Sequence, residues 1–176
     1  MSVTQSRRRF LASISMLAAG SMVPSSAFSF FPNQQQKLRV ALVGTGVRGT
    51  GFWGKRLVDT YSDLLEFVGL CDRNPGRLDF AQRYMQVSCD TYTDFETMIQ
   101  EQQPDLVIVT TTDATHHQFI VKGLDMGCDV LTEKPMTTDE QKCQAILDAE
   151  ERSDNDLIVG FNYRWSPYMT QIRELL

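Results

Sequence analysis

Gly44-Thr45-Gly46-Val47-Arg48-Gly49 sets three glycines at G-x-G-x-x-G spacing directly behind the short, β-branched apolar run of residues 38–43. A strand that ends in such a turn and opens into a helix is suited to holding the diphosphate of a dinucleotide. The first glycine lets the chain turn sharply off the strand, the second removes the Cβ that would hold the backbone away from the diphosphate, and the third lets the following helix sit tightly on the sheet. The helix start adds free N–H groups and a partial positive charge. A second signal stands roughly twenty residues on, where residues 65–71 read as another strand and deliver Asp72 at the distance expected of a carboxylate that takes the adenosine ribose hydroxyls. Asp72 favours NAD, while Arg73 beside it offers a cation for a 2′-phosphate, so NADP stays open. The competing reading, an ordinary α/β turn with a surface aspartate, accounts for either signal alone and poorly for both at this spacing.

The elements that must hold these residues alternate between strand and helix. After the glycines, residues 50–61 read as a first helix. Asn74-Pro75 opens a second through about Met85, with Leu78, Ala81 and Tyr84 at helical spacing. A short strand at 90–92 leads to Thr93-Asp94-Phe95-Glu96, which has the form of a capping box, and its helix should end before Pro104. Residues 105–110 form the continuous apolar run that a strand buried on both faces needs. Thr115 or a neighbour should cap the next helix, which stops at Gly127. Residues 129–132 read as a strand, 137–153 as a helix, 157–161 as a sixth strand and 167–176 as a last helix. This alternation predicts an α/β fold, a doubly wound and mainly parallel sheet of Rossmann type, over residues 37–163. Tyr84, Phe95, Phe119 and the methionines are expected to pack in the core or along helices.

A net charge of −5 with no basic stripe beyond the first ten residues excludes nucleic acid as an expected partner. Residues 1–27 read as an export signal: Arg7-Arg8-Arg9-Phe10-Leu11, a mostly apolar stretch, then small Ser25-Ser26-Ala27. The paired arginines resemble the twin-arginine type. Residues 28–36 form a polar lead-in. The apolar part is too short and serine-rich to span a bilayer, so the expectation is a periplasmic protein with no stable membrane insertion after signal removal. A chain exported already folded would take its nucleotide along and retain it. The four cysteines show neither C-x-x-C nor metal-ligand spacing and read as ordinary buried or half-buried thiols, with no metal site expected.

The glycine turn, Cys71-Asp72-Arg73-Asn74-Pro75, the threonine-rich end of the fourth strand followed by His116, and Glu133-Lys134-Pro135 together resemble the Gfo/Idh/MocA family of glucose-fructose oxidoreductase and inositol dehydrogenase relatives, over about residues 37–176. The resemblance implies an NAD(P)-dependent oxidoreductase that transfers hydride between a retained nicotinamide cofactor and a sugar or polyol hydroxyl or carbonyl. It implies that Lys134 reaches the reacting oxygen beside the nicotinamide, where an ammonium offsets developing negative charge. Glu133 would lie at the nicotinamide end, and Pro135 would fix the loop that aims Lys134. Thr110, Thr111 and Thr112 would line the path to the nicotinamide ribose at the carboxyl end of their strand. The family often has Thr-Pro there, where this chain reads Thr111-Thr112-Asp113. His116 falls at the family's histidine position and either contacts the cofactor or caps its helix. Asn162 and Arg164 belong to a closing-strand motif that approaches the nicotinamide.

Family members continue into a second α/β domain that supplies most of the substrate pocket, the acid or base and the usual oligomer surface. Residues 164–176 read as the start of the helix leading to it, so the acid or base and any homo-oligomer contact are expected outside this chain. Two further readings accompany this one: a nucleotide-binding module without catalysis of its own, and an NAD-dependent glycosidase of the same superfamily.

Overall fold

A computed structural model describes residues 37–161 and 166–175. Its strands are β1 (Leu38–Val43), β2 (Leu65–Cys71), β3 (Asp90–Tyr92), β4 (Leu106–Val109), β5 (Asp129–Glu133) and β6 (Leu157–Gly160). They form a single sheet in the order β3-β2-β1-β4-β5-β6, with every neighbouring pair parallel. This is the doubly wound Rossmann arrangement predicted from the strand-helix alternation. The order reverses between β1 and β4, and open sheets of this kind bind ligands outside the carboxyl ends of their strands at that reversal.

The apolar runs are continuous because both faces of the sheet are covered. Val40, Leu42 and Ile108 face one layer with Leu70, Leu78, Ala81 and Met85. Ala41, Val43, Val107, Val109 and Val130 face the other with Phe95, Met98, Ile99, Ile120, Leu124 and Ile146. Each fully buried leucine or isoleucine contributes about 1.5–3 kcal/mol. The two layers thereby hold the strand ends in fixed relation.

The first helix departs from the expected span of 50–61. It opens as a π-helix at Arg48–Lys55 and narrows into α1 (Arg56–Tyr61), with Arg56 N–H donating to the Gly51 carbonyl. Gly49, Gly51 and Gly54 leave this stretch without the side chains that hold a tight α-helical turn, and π-turns of this kind recur at functional sites. The remaining helices are α2 (Pro75–Met85), α3 (Phe95–Gln102), α4 (His116–Asp125), α5 (Glu140–Arg152) and α6 (Pro167–Leu175). Asn74 caps α2, accepting from Gly76 N–H at 3.0 Å ahead of the first-turn proline.

Several local details differ from the sequence expectation. Asp94, and not Thr93, caps α3, accepting from Thr97 N–H at 2.8 Å. A carboxylate at the cap outcompetes a threonine one residue earlier. Asp139 caps α5 through Lys142 N–H at 2.9 Å, so that helix starts at Glu140 rather than 137. Thr115 takes the N-cap position of α4, as expected, but its side chain makes no capping bond: a 3₁₀ turn at Asp113–Thr115 precedes the helix, and the Thr115 hydroxyl lies 2.8 Å from the Thr112 carbonyl and 3.0 Å from Thr111 Oγ1. Of the two placements expected for Tyr84 it takes the one along its helix, stacked on Phe80 at 5.5 Å, because Leu78, Ala81 and Met85 are the positions of α2 that face the sheet. Phe95, Met85 and Met98 are buried as expected.

Candidate dinucleotide site

The glycine turn is held from two sides. Gly44 N–H donates to the Cys71 carbonyl at 2.8 Å, and the Thr110 hydroxyl donates to the Gly44 carbonyl at 2.6 Å. Gly44 has φ +92°, and a Cβ there would lie 2.7 Å from the Thr110–Thr111 backbone. A Cβ on Gly49 would run into the Gly44 carbonyl oxygen and the Thr110 hydroxyl. Packing within the chain therefore requires both residues. Gly46 is different: a Cβ there meets nothing within 4 Å. Its smallness serves nothing in the described chain and leaves open space at the turn, as a diphosphate cradle requires. Gly51, further along the π-helix, is equally open.

Asp72 follows the last residue of β2 and is buried. Its Oδ2 accepts from Thr45 N–H at 2.9 Å and the Thr45 hydroxyl at 3.1 Å, and its Oδ1 accepts from Asn74 N–H at 2.9 Å. The Arg77 guanidinium lies 3.9 Å away. The carboxylate thus clamps the glycine turn to the end of β2, the position from which it would address a ribose. Beside it, burial, aided by the charges of Asp72 and Asp94, pushes the Cys71 thiol up to about 12. Arg73 is exposed next to Asp72, and Val47 projects outward at 95% exposure.

The ends of β4 and β5 complete the rim. Thr110 and Thr111 are half-buried and Thr112 is exposed. His116 is almost fully buried, with Nδ1 2.9 Å from the Pro135 carbonyl and Nε2 3.0 Å from the Thr111 carbonyl. Its ring does not cap α4; it ties the loop after β4 to the loop after β5. Glu133 is buried, accepting from Arg48 Nε at 2.6 Å and Trp53 Nε1 at 2.7 Å. Lys134 is exposed, the Lys134–Pro135 peptide is cis, and none of the ion pairs among the described residues involves Lys134. Asn162 and Arg164 lie outside the described residues. Sequence reasoning missed Trp53 as the second donor to Glu133 and Asn74 as a partner of Asp72. An aromatic residue set among Gly49, Gly51 and Gly54 was the available hint for Trp53.

These features define a nucleotide-binding α/β domain with its polar rim at the carboxyl end of a parallel sheet. The chain belongs to the Gfo/Idh/MocA oxidoreductase family: the family model for its NAD-binding Rossmann fold matches residues 38–161. Among relatives, YteT of Bacillus subtilis is 34% identical over 141 residues, covering 78% of this chain and 33% of that protein. Inositol 2-dehydrogenase of Salmonella typhimurium is 26% identical over 140 residues, covering 79% of this chain and 41% of that enzyme. Among solved structures, the WlbA dehydrogenase from Bordetella pertussis, in complex with NADH and UDP-GlcNAcA, matches with a TM-score of 0.73 at 22% identity, covering 79% of this chain and 41% of that one. The chain thus spans roughly a third to two fifths of the length of these relatives. Among the described residues, no helix is long and apolar enough to cross a membrane.

Proposed function

We propose that this domain holds the cofactor of an oxidoreductase that moves hydride between a nicotinamide and a hydroxyl or carbonyl of a sugar or polyol. The observation that carries this reading is the clamp of buried Asp72 on Thr45 of the glycine turn. It pairs a ribose-reading carboxylate with a diphosphate cradle at one strand-order reversal. Gly44, Thr45, Gly46, Val47, Arg48 and Gly49 would hold the diphosphate, Asp72 the adenosine ribose, and Thr110, Thr111 and Thr112 the path to the nicotinamide. When bound, the nicotinamide supplies the hydride donor or acceptor. Lys134 Nζ carries positive charge and exchangeable protons, so it would offset charge building on the substrate oxygen and share a proton with it. Glu133 and His116, which grip the residues around Lys134, would keep that ammonium aimed.

Asp72 supports NAD over NADP, since a carboxylate repels a 2′-phosphate. Asp72→Ala should weaken NADH binding more than NADPH binding in fluorescence titrations; equal losses would show that Asp72 does not read the ribose. The twin-arginine-type segment at residues 7–11 supports export to the periplasm with the cofactor retained. Inositol and nucleotide-sugar dehydrogenases among the relatives support a polyhydroxylated substrate.

A further inference from the structure

Arg48 occupies an unspecified position of the glycine turn, where the turn itself makes no demand on the side chain. Its Nε nevertheless donates to Glu133 Oε1 at 2.6 Å, reaching from the end of β1 to the end of β5. Trp53 Nε1 donates to the same oxygen at 2.7 Å, and the other carboxylate oxygen accepts the Lys134 backbone N–H at 3.2 Å. The indole sits against Gly160, the residue paired with Glu133 across β5 and β6, where a Cβ would come within 3.1 Å of it. The Arg48 guanidinium lies 3.9 Å over the Phe52 ring, and its Nη2 is buried with no hydrogen-bond partner among the described residues.

We propose that Arg48, Glu133 and Trp53 are positioning residues that couple occupation of the diphosphate turn to the setting of Lys134. The proposal rests on the nucleotide-binding reading given above. A buried carboxylate cannot cheaply lose its donors, so Glu133 follows Arg48 and Trp53. Arg48 belongs to the turn where an anion would arrive and carries a buried Nη2 with no partner among the described residues, so an anion that draws the guanidinium round gives this donor an acceptor while Nε keeps Glu133. Any shift of the guanidinium then passes through the carboxylate to the Lys134 N–H. By linkage, whatever sets Lys134 also tunes nucleotide affinity.

The test is a titration of the ¹⁵N-labelled full chain with ADP, followed by NMR. ADP carries the diphosphate and adenosine ribose but neither the nicotinamide nor the ribose that bears it, so direct contact with that half of the cofactor cannot move Lys134. The Gly46 amide, the Trp53 indole N–H and the Lys134 amide are expected to shift along one shared saturation curve. In Glu133→Gln the single side-chain oxygen is held by the Arg48 and Trp53 donors, which turns the NH2, a donor, toward the Lys134 N–H; the variant should keep the Gly46 response while losing that of Lys134. Arg48→Met, at a side chain 41% exposed, removes a donor to the anion as well, so it should move the Gly46 curve to higher ADP concentration while the Lys134 response is lost even at saturation; it serves if Glu133→Gln does not fold. Saturation at Gly46 with Trp53 and Lys134 silent, or a Lys134 response that survives Arg48→Met undiminished, overturns the coupling alone. No response at Gly46 in the unaltered chain overturns the nucleotide reading and the coupling with it.

Discussion

The two ends of the sheet are stabilised differently. Every buried polar residue among those described, namely Thr45, Thr50, Asp72, His116, Thr132 and Glu133, lies toward the carboxyl end. The amino end is held by exposed links: Arg39 N–H to Asp105 at 2.8 Å, Asp156 N–H to Asp129 at 2.9 Å, and the Arg39–Glu66 pair at 3.7 Å. Buried polar groups are costly unless satisfied, whereas exposed ones exchange with water at little cost. A fold selected for stability alone would have no reason to gather its buried polar groups at one end, so the asymmetry marks the carboxyl end as the place where chemistry sets the sequence.

The largest effect that would sharpen this contrast comes from two glycines with positive φ, Gly44 at +92° and Gly127 at +84°. Alanine at either pays the left-handed backbone penalty of about 1–2 kcal/mol. Only Gly44 is also crowded by backbone, which adds overpacking of about 1–3 kcal/mol. Gly44→Ala should therefore lower stability in urea unfolding clearly more than Gly127→Ala and abolish NADH binding, with Gly127→Ala leaving binding intact. Equal losses would erase the distinction between the two ends.

A smaller effect separates the thiols. Burial raises Cys71 from an ordinary 9.0 to about 12 and Cys128, near the amino end, to about 11. Folded thiols with raised values keep protons that the unfolded chain releases, so stability is full below the unfolded value and falls as pH rises through 9 toward 11–12. Urea midpoints should decline across this alkaline window, and Cys71→Ala should flatten the decline more than Cys128→Ala. A flat profile, or the reverse order, would show that burial together with the Asp72 and Asp94 charges does not raise Cys71 above Cys128.

The glycine turn, the strands and Asp72 at the end of β2 were legible in the sequence because short-range pattern sets them: apolar runs, turn glycines and spacing. The contacts that join the rim were not. Arg48 and Trp53 meet Glu133 across more than half of the described chain, and no local pattern encodes such a meeting. His116 was readable as a polar residue at a helix start, but its partners are backbone carbonyls on two separate loops. The π-helical opening went unseen because glycines weaken α-helix without specifying what replaces it. Tyr84 fitted the helical period of α2, yet the sheet-facing stripe turned one residue further, to Met85.

The most direct measurement is a crystal structure of the full chain with NADH bound. The account predicts the diphosphate on the amides of residues 44–49, the adenosine ribose on Asp72 and the Lys134 ammonium facing the nicotinamide ring. A nucleotide seated elsewhere, or Lys134 directed away from the ring, would contradict it.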